Sequence, residues 1–540
     1  MTISDFTADD RYLPAKIDTL RTVIEPTGTG HVSVPPVFDP TALPSEIDLL
    51  VIGGGINGAG IARDAAGRGL KVALCERHDL ASATSSASSK LIHGGLRYLE
   101  QYEFRLVRES LAEREVLLSN APHIVSPLRF VLPHDRHLRP AWLIRLGLFL
   151  YDHLSRRSVL PSSQRLDLRL HPAGIPLQER LKQGFMYSDC RVNDARLVVL
   201  NARDAADRGA LILPRTECMH LERTPTHWQA RLRHQSGQTH DLTTKAVVNA
   251  AGPWVSQVRA MAQNTPPASC RVRLVKGSHI IVPRLYQGDH AYILQNDDQR
   301  IVFVLPYTTD THLIGTTDVA FDGDPANIQI SAEETDYLCA VVNSYFDSQI
   351  EPSQILHTFA GVRPLYDDQS NNPSKVTRDY LLDMNGDLAL GQPPILSVYG
   401  GKLTTYRRLA EQVMAKLAGC LGARPPWTAT APLPGGDIEH GDVDGYIDDL
   451  LRSHPWLPAD LANRYAHTYG SLTTTLLQDA HSLDDLGEHL GDGLYVREAD
   501  WLRTHEWAET SEDILWRRTW LGLSASPDTV AALERWLART

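Results

Sequence analysis

The sequence predicts an α/β protein, α+β over its full length: a Rossmann-like nucleotide-binding domain, an antiparallel β-sheet substrate domain and a C-terminal helical domain. Three stretches predict it. Ile47 to Arg77 (IDLLVIGGGINGAGIARDAAGRGLKVALCER) runs strand, glycine turn, helix, strand. Lys276 to Asp318 carries four strand-like runs, SHIIVP, AYILQ, RIVFVLPY and HLIGTTDV, between polar turns such as NDDQR and TTDTH, which is an antiparallel meander. From Pro426, after the linker-like TATAPLPGGDIEHGD, the chain is helical and Trp-rich without a catalytic motif.

The first stretch carries the nucleotide signal. Asp48 to Ile52 is a short apolar run, as in a strand buried in a parallel sheet. Gly53, Gly55 and Gly58 have G-x-G-x-x-G spacing. Gly53 makes the turn, Gly55 admits a pyrophosphate and Gly58 lets the helix pack close to the strand. The helix spans about Asn57 to Arg68, with Ala59, Ile61, Ala62 and Ala65 as packing positions. Its first residues, Ile56 and Asn57, offer free N–H groups and the positive end of the helix dipole to phosphate. Gly69 caps it and Lys71 to Cys75 is the second strand. Glu76, roughly 20 residues past the glycines, stands where an acid binds a ribose hydroxyl pair, with Arg77 beside it. The competing reading is a βαβ unit whose glycines only make a tight turn.

Length and composition bound the rest. A chain of 540 residues exceeds one core, so two or three domains are expected. With 42% hydrophobic and 22% charged residues it is globular, and a net charge of −12 argues against general nucleic-acid binding. Six scattered cysteines without a C-x-x-C pair suit a reducing compartment and offer no metal site. No apolar run approaches the ~20 residues that span a bilayer. The polar, acidic start MTISDFTADDRYLP is not a signal peptide. Residues 1–45 read as a poorly ordered or surface-draped extension, or as a partner-binding arm.

Further motifs follow Glu76. Ser82 to Ser89 is almost all small and hydroxylic; Thr84, Ser85, Ser86 and Ser88 can wrap a pyrophosphate and a ring system, or form a flexible loop. Leu91, His93, Gly94, Gly95, Arg97 and Tyr98 then supply a base, close backbone approach, a cation and a phenol. A helix follows over roughly Gln101 to Asn120, with Val107, Leu111 and Leu118 on its apolar face. Arg129 to Arg157 sets Arg129, Arg136, Arg139, Arg145, Arg156 and Arg157 around the apolar Trp142 to Tyr151. It reads as a surface-lying membrane segment or as an ordinary packed amphipathic helix. Gly184 to Ala210 is strand, turn and helix, and Lys245 to Val255 is a strand ending in Ala-Ala-Gly. GVRPLYDD places Arg363 after Gly361, KVTRDY places Arg378, and SVYGGKLTTYRR delivers Lys402, Leu403 and Thr404 in a glycine turn before a helix. Surface salt bridges are the usual fate of such cations; four in glycine-flanked motifs favour a common anion site.

From Ile47 to the C-terminus the sequence resembles the bacterial FAD-dependent, respiratory (aerobic) glycerol-3-phosphate dehydrogenases. The carrying stretches are VIGGGINGAGIARDAAGRG, ATSSASSKLIHGGLRYLE, KGSHIIVP, AYILQNDDQRIVFVLPY, IGTTDV, GVRPLYDD, TRDY and GGKLTTYR. The first 45 residues depart from the pattern. The resemblance implies FAD, contacted also at Ala250, Gly252 and Trp254, with the β-rich domain over the isoalloxazine ring. It implies oxidation of sn-glycerol 3-phosphate to dihydroxyacetone phosphate, hydride transfer to flavin N5, and electrons passed to a membrane quinone. His93 would be the base, or a histidine that only packs against or hydrogen-bonds the flavin, and Arg363 would orient the hydroxyl and stabilise alkoxide charge. Arg97, Arg378 and Lys402 would grip the phosphate, with Tyr98 as a neutral donor. It further implies a homodimer lying peripherally on the anionic inner face of the cytoplasmic membrane. An oxygen-using glycerol-3-phosphate oxidase, an amine oxidase of the wider flavoprotein group and a non-enzymatic nucleotide-binding module are the rivals. The expected domains are the extension (1–45), FAD-binding parts (46–125, 195–260, 357–425), a substrate- and membrane-facing segment (126–194), a substrate-binding β domain (261–356) and the helical domain (426–540).

Overall fold

The computed structural model describes residues 41–135, 138–155, 159–263, 272–296, 298, 300–366 and 380–539. Strand β1 (Glu46–Ile52), helix α1 (Ile56–Gly67) and strand β2 (Val72–Cys75) form the expected βαβ unit. In the first sheet the order is Leu381–Asn385, Ile395–Tyr399, Thr239–Asn249, β1, β2, Leu211–Leu213. Its central pairs are parallel, with Val51 opposite Leu74 and Val248. Alternation along β1 explains why every residue from Leu49 to Ile52 is apolar. Leu49 and Val51 pack under α1, helix α4 (Asp194–Asp207) and helix Tyr406–Leu421, while Leu50 and Ile52 pack on the other face with Trp228 and Val258.

The second sheet has ten strands, larger than the expected meander. Within Lys276–Asp318 the pairs are antiparallel as read. Its strand Ala291–Gln295 also pairs in parallel with Val125–His134, which continues antiparallel to Gln183–Val192. On the other edge Val272–Pro283 pairs with His357–Tyr366, setting Gly361 opposite Gly277 and Arg363 opposite Val275. This register carries Arg363 into the second sheet's cavity wall.

Three expectations are corrected. Helix α2 (Phe104–Asn120) starts later than read: Leu96–Gln101 is a 3₁₀ turn bounded by left-handed Gly95 (φ 75°) and Tyr102 (φ 60°), which prevents one continuous helix. The linker-like stretch after Pro426 is tied down, with Trp427 Nε1 donating to Asp64 O and Asn120 Nδ2 to Thr428 O, both at 3.1 Å. The Arg129–Arg157 stretch divides into a strand and helix α3 (Ala141–His153). Helix α3 buries Leu148 and Tyr151 but leaves Trp142, Leu146 and Phe149 exposed at 69%, 47% and 49%. Arg129 is not a solvated arginine, since its Nη1 donates to Ser188 Oγ (2.5 Å). Among the described residues no helix is long and apolar enough to cross a membrane.

Buried charge ties α2 to the helix behind the second glycine turn. Arg407 is 5% exposed; its Nε donates to Glu113 Oε2 (2.8 Å), and its Nη1 pairs with Glu411. Arg407→Leu leaves the buried Glu113 carboxylate without its cation, while Glu411 keeps Arg408. The expected loss is about 3–5 kcal/mol of folding stability. Urea unfolding checks it, and a change below roughly 1 kcal/mol would mean that apolar packing alone holds the helix.

Candidate active site

Two cavities meet above the first glycine turn. One, of about 360 Å³, lies between the two sheets, and one of about 150 Å³ runs along the end of β2. Gly55, Thr84, Ser85, Ala250 and Gly252 line both, so the pair forms one elongated groove. Its geometry depends on Gly53, which has φ +115° and whose Cβ would lie 2.4 Å from Ala250 O. Gly58 lines neither cavity; a Cβ there would meet Gly53 O at 1.9 Å, so its absence closes the turn.

Glu76, Arg77 and Trp254 line the smaller cavity. The Arg77 guanidinium lies over the Trp254 indole, 4.1 Å from its centroid. Glu76 accepts from Gly54 N (2.7 Å) and His78 N (2.9 Å), so its carboxylate is already fixed by backbone. Burial raises its pKa, against these hydrogen bonds. The N–H of Ile56 is not free as expected, because it donates to Ser85 Oγ (3.0 Å).

The serine-rich loop is held along its length. Thr84 Oγ1 donates to Val362 O and Ser88 Oγ to Asp194 Oδ2, both at 2.7 Å. Lys90 Nζ is buried against Asp194 Oδ1 (2.8 Å) and Ser86 O (2.9 Å). Ser86 itself lines neither cavity, since its hydroxyl turns to Ala83 O (3.2 Å).

The larger cavity gathers Ile56, Asn57, Leu91, His93, Gly95, Arg97, Tyr98, Gly361, Arg363, Lys402, Leu403 and Thr404 from segments far apart in sequence. His93 is stapled by its backbone to Thr404, whose hydroxyl accepts from His93 N (3.2 Å) and donates to His93 O (3.3 Å). Gly94 stands behind the wall, its N–H donating to Tyr151 Oη (2.8 Å) and Asp189 Oδ1 (3.3 Å). Arg363 Nη2 donates to Asp318 Oδ1 (3.2 Å). Lys402 Nζ sits 4.0 Å from the Tyr98 ring centroid. It is buried without a hydrogen-bond partner among the described residues, as is Asn57 Oδ1. A buried, unpaired ammonium and a buried, unpaired acceptor in one cavity are costly unless a ligand completes them. Arg378 lies outside the described residues.

Sequence reading missed His279, Asp318 and Lys90. His279 lines the larger cavity, stacks on Phe359 (4.9 Å, 18°) and has Nε2 2.9 Å from Ser89 Oγ. Burial, with repulsion from Lys90 and Arg363, pushes its pKa down to about 3, so the ring is neutral at physiological pH. The available signal was a lone polar ring inside the apolar run SHIIVP.

A family model described as FAD dependent oxidoreductase matches residues 48–407, and one described as the C-terminal domain of alpha-glycerophosphate oxidase matches 426–538. The chain belongs to the FAD-dependent oxidoreductase family. It stands there with the glycerol-3-phosphate dehydrogenases. The Pseudomonas aeruginosa glycerol-3-phosphate dehydrogenase is 55% identical, covering 92% of this chain and 96% of that one. A Brucella abortus D-erythritol 1-phosphate dehydrogenase is 50% identical, covering 92% and 98%. A solved Bacillus halodurans glycerol-3-phosphate dehydrogenase complexed with FAD superposes with a TM-score of 0.74 at 29% identity, covering 92% and 90%.

FAD is the cofactor of this flavoprotein, and the groove fits it. Two joined chambers suit an extended dinucleotide, the smaller with an Arg–Trp platform and the Glu76 carboxylate in its wall, the larger lined from both sheets. Gly53→Ala should reduce FAD occupancy at least tenfold, because a side chain there needs a strained φ, costing about 1–3 kcal/mol, and a displaced Ala250 carbonyl. The ratio of flavin to protein absorbance in purified protein reads this directly, and full occupancy would contradict it.

Proposed function

We propose that this flavoenzyme oxidises sn-glycerol 3-phosphate to dihydroxyacetone phosphate and passes the electrons to a membrane quinone. The observation that carries the substrate is Lys402, a buried unpaired cation in a cavity that also presents Arg97, Tyr98 and Arg363. Such a wall suits a phosphate monoester, and the names of the relatives agree with it. It has no use in an amine oxidase. Bound FAD supplies a two-electron acceptor at N5. Lys402, Arg97 and Arg378 grip the phosphate, and Tyr98 donates a neutral hydrogen bond. Arg363, oriented by Asp318, holds the reacting hydroxyl and stabilises the negative charge that develops on its oxygen. His93 removes the hydroxyl proton.

Two specific observations favour second readings. His279 is a neutral, buried imidazole in the same wall and is the alternative base. The Brucella relative is named for a four-carbon phosphate, so D-erythritol 1-phosphate is the alternative substrate. Anaerobic mixing with each phosphate tests all of this at once. Glycerol 3-phosphate should bleach the flavin with the larger kcat/KM, and Lys402→Ala should lose roughly 1.5–3 kcal/mol in that constant. Substituting the base by Ala should slow flavin reduction about 10²–10⁴-fold with FAD retained. If His93→Ala reduces at the wild-type rate and His279→Ala does not, the base is His279. Wild-type kinetics in Lys402→Ala would remove it from the phosphate site. Fast reoxidation of the reduced flavin by oxygen would replace the quinone with the oxidase reading.

The quinone needs a membrane, and α3 supplies a surface for one. Trp142, Leu146 and Phe149 face outward along one side, with Arg139 and Arg145 exposed beside them. We propose peripheral docking of this helix on the anionic cytoplasmic face, by a homodimer whose stoichiometry sedimentation checks. Removing Trp142 and Phe149 (both to Ser) should weaken binding to anionic vesicles about tenfold or more, and salt should weaken the wild type. Binding that ignores both salt and the substitutions would place the contact elsewhere.

A further inference from the structure

The loop from Asp79 to Lys90 lines both chambers of the groove, yet neither end is held by its own domain alone. Asp79 is 4% exposed. Its carboxylate accepts from Arg517 Nε (2.6 Å) and from Arg518 Nη1 (2.8 Å) and Nη2 (2.7 Å), side chains 438 and 439 residues downstream. Arg518 is fully buried and is itself positioned by Glu506 O (2.8 Å). Arg517 is braced from behind by Asp513 (2.5 Å). At the other end, Lys90 Nζ lies 5.4 Å from the centroid of the Trp520 indole. Trp520 also packs on Tyr307 of the second sheet, centroids 5.4 Å apart.

Segment 513–520 therefore reaches both ends of one loop. Its π-helical turn, Asp513–Arg518, sets two consecutive arginines on the same carboxylate. Such turns are rare, and frequent at functional sites. The loop needs holding. Ala81 (φ +59°) and Lys90 (φ +57°) are both left-handed without being glycine, a conformation that persists only where the surroundings impose it. Plain domain docking does not need these contacts, because Arg196 and Glu506 already join the C-terminal domain to α4 as a fully buried pair.

We propose that the C-terminal domain is a clamp on the cofactor-wrapping loop, with Arg517, Arg518 and Trp520 as positioning residues that set how tightly and in what orientation FAD is held. The inference rests on the reading that residues 82–89 wrap FAD. It assigns the C-terminal domain a task in the flavin site although none of its described residues lines either chamber.

The test uses the full-length holoprotein and two readouts: the rate of FAD release, followed by free-flavin fluorescence, and the visible circular dichroism of the bound flavin. Asp79→Asn and Trp520→Leu should each speed FAD release about tenfold or more and change the dichroism. The double variant Arg517→Lys/Arg518→Lys should lie between them and the wild type, since Lys keeps the charge without the fork geometry. Arg196→Met is the control: it should lower the unfolding temperature and leave release and dichroism at wild-type values. Trp520 is only half-buried, so Trp520→Leu keeps the test alive should Asp79→Asn fail to fold. Wild-type release and dichroism in Trp520→Leu, or an equal effect from Arg196→Met, would overturn the clamp. Ser85→Ala separates the two layers of the inference: if it leaves FAD release unchanged, the wrapping reading itself is wrong. If it speeds release while Trp520→Leu does not, only the clamp fails.

Discussion

Three backbone segments converge on Gly53 with no room for a side chain. The end of β1, the first turn of α1 and the return of the chain at Ala250 are in contact there, and Gly53 must adopt φ +115° to let them meet. The parallel pairs of β1 with β2 and with Thr239–Asn249 bring those segments together, and the closeness of that turn fixes the mouth of the groove. Everything that faces the groove is referenced to this junction. The serine loop reaches it through Ser85 and Ile56, the second glycine turn through Asn57 and Gly400.

Burial of charge separates structure from site. In the interior, Arg114 is paired with Asp189, Arg196 with Glu506, Arg407 with Glu113 and Lys90 with Asp194. Each pair meets the cost of removing both ions from water by mutual attraction and further hydrogen bonds. Lys402 breaks this pattern in an acidic chain of net charge −12. A protein with so many carboxylates has had every opportunity to neutralise that ammonium, and the geometry puts an aromatic ring there instead. The cation–π contact orients the charge without cancelling it, which leaves its electrostatic potential for an anion.

The parts legible in sequence were those whose signal is local. Glycine spacing, strand alternation and the turn-helix junction at Lys402 each occupy fewer than about twenty residues and obey period and dihedral rules. Residues 47–77 and the meander were readable for that reason; that Arg97, Arg363 and Lys402 line one cavity is a long-range fact of the fold, which their glycine-flanked motifs favoured but could not show. His279 was not, because a single histidine in SHIIVP has the pattern of a core strand, and only the register that sets Val272–Pro283 beside His357–Tyr366 reveals which wall it joins. The Ser85 cap on Ile56 and the Asp79 clamp are contacts between 29 and 439 residues apart and leave no periodic trace. Helix α3 carried two readings because one edge of it packs and the other faces out.

The cations of the larger cavity are also unequal, and the inequality bears on the proposed division of labour. Arg363 shares its guanidinium with Asp318 at 3.2 Å, so much of its field is cancelled at a distance while its remaining N–H groups stay fixed in direction. A paired arginine of this kind is a poor long-range attractor of a dianion and a good short-range director of one oxygen. Lys402 has the opposite character: a compact charge, not neutralised by any carboxylate among the described residues, with three donors free to follow a phosphate. Holding a phosphate at Lys402 and the reacting hydroxyl at Arg363 would fix a short phosphorylated polyol at two points. Two-point attachment of that sort turns the approach of the carbon between them into a geometric consequence of the wall, since little rotational freedom is left to lose at the transition state.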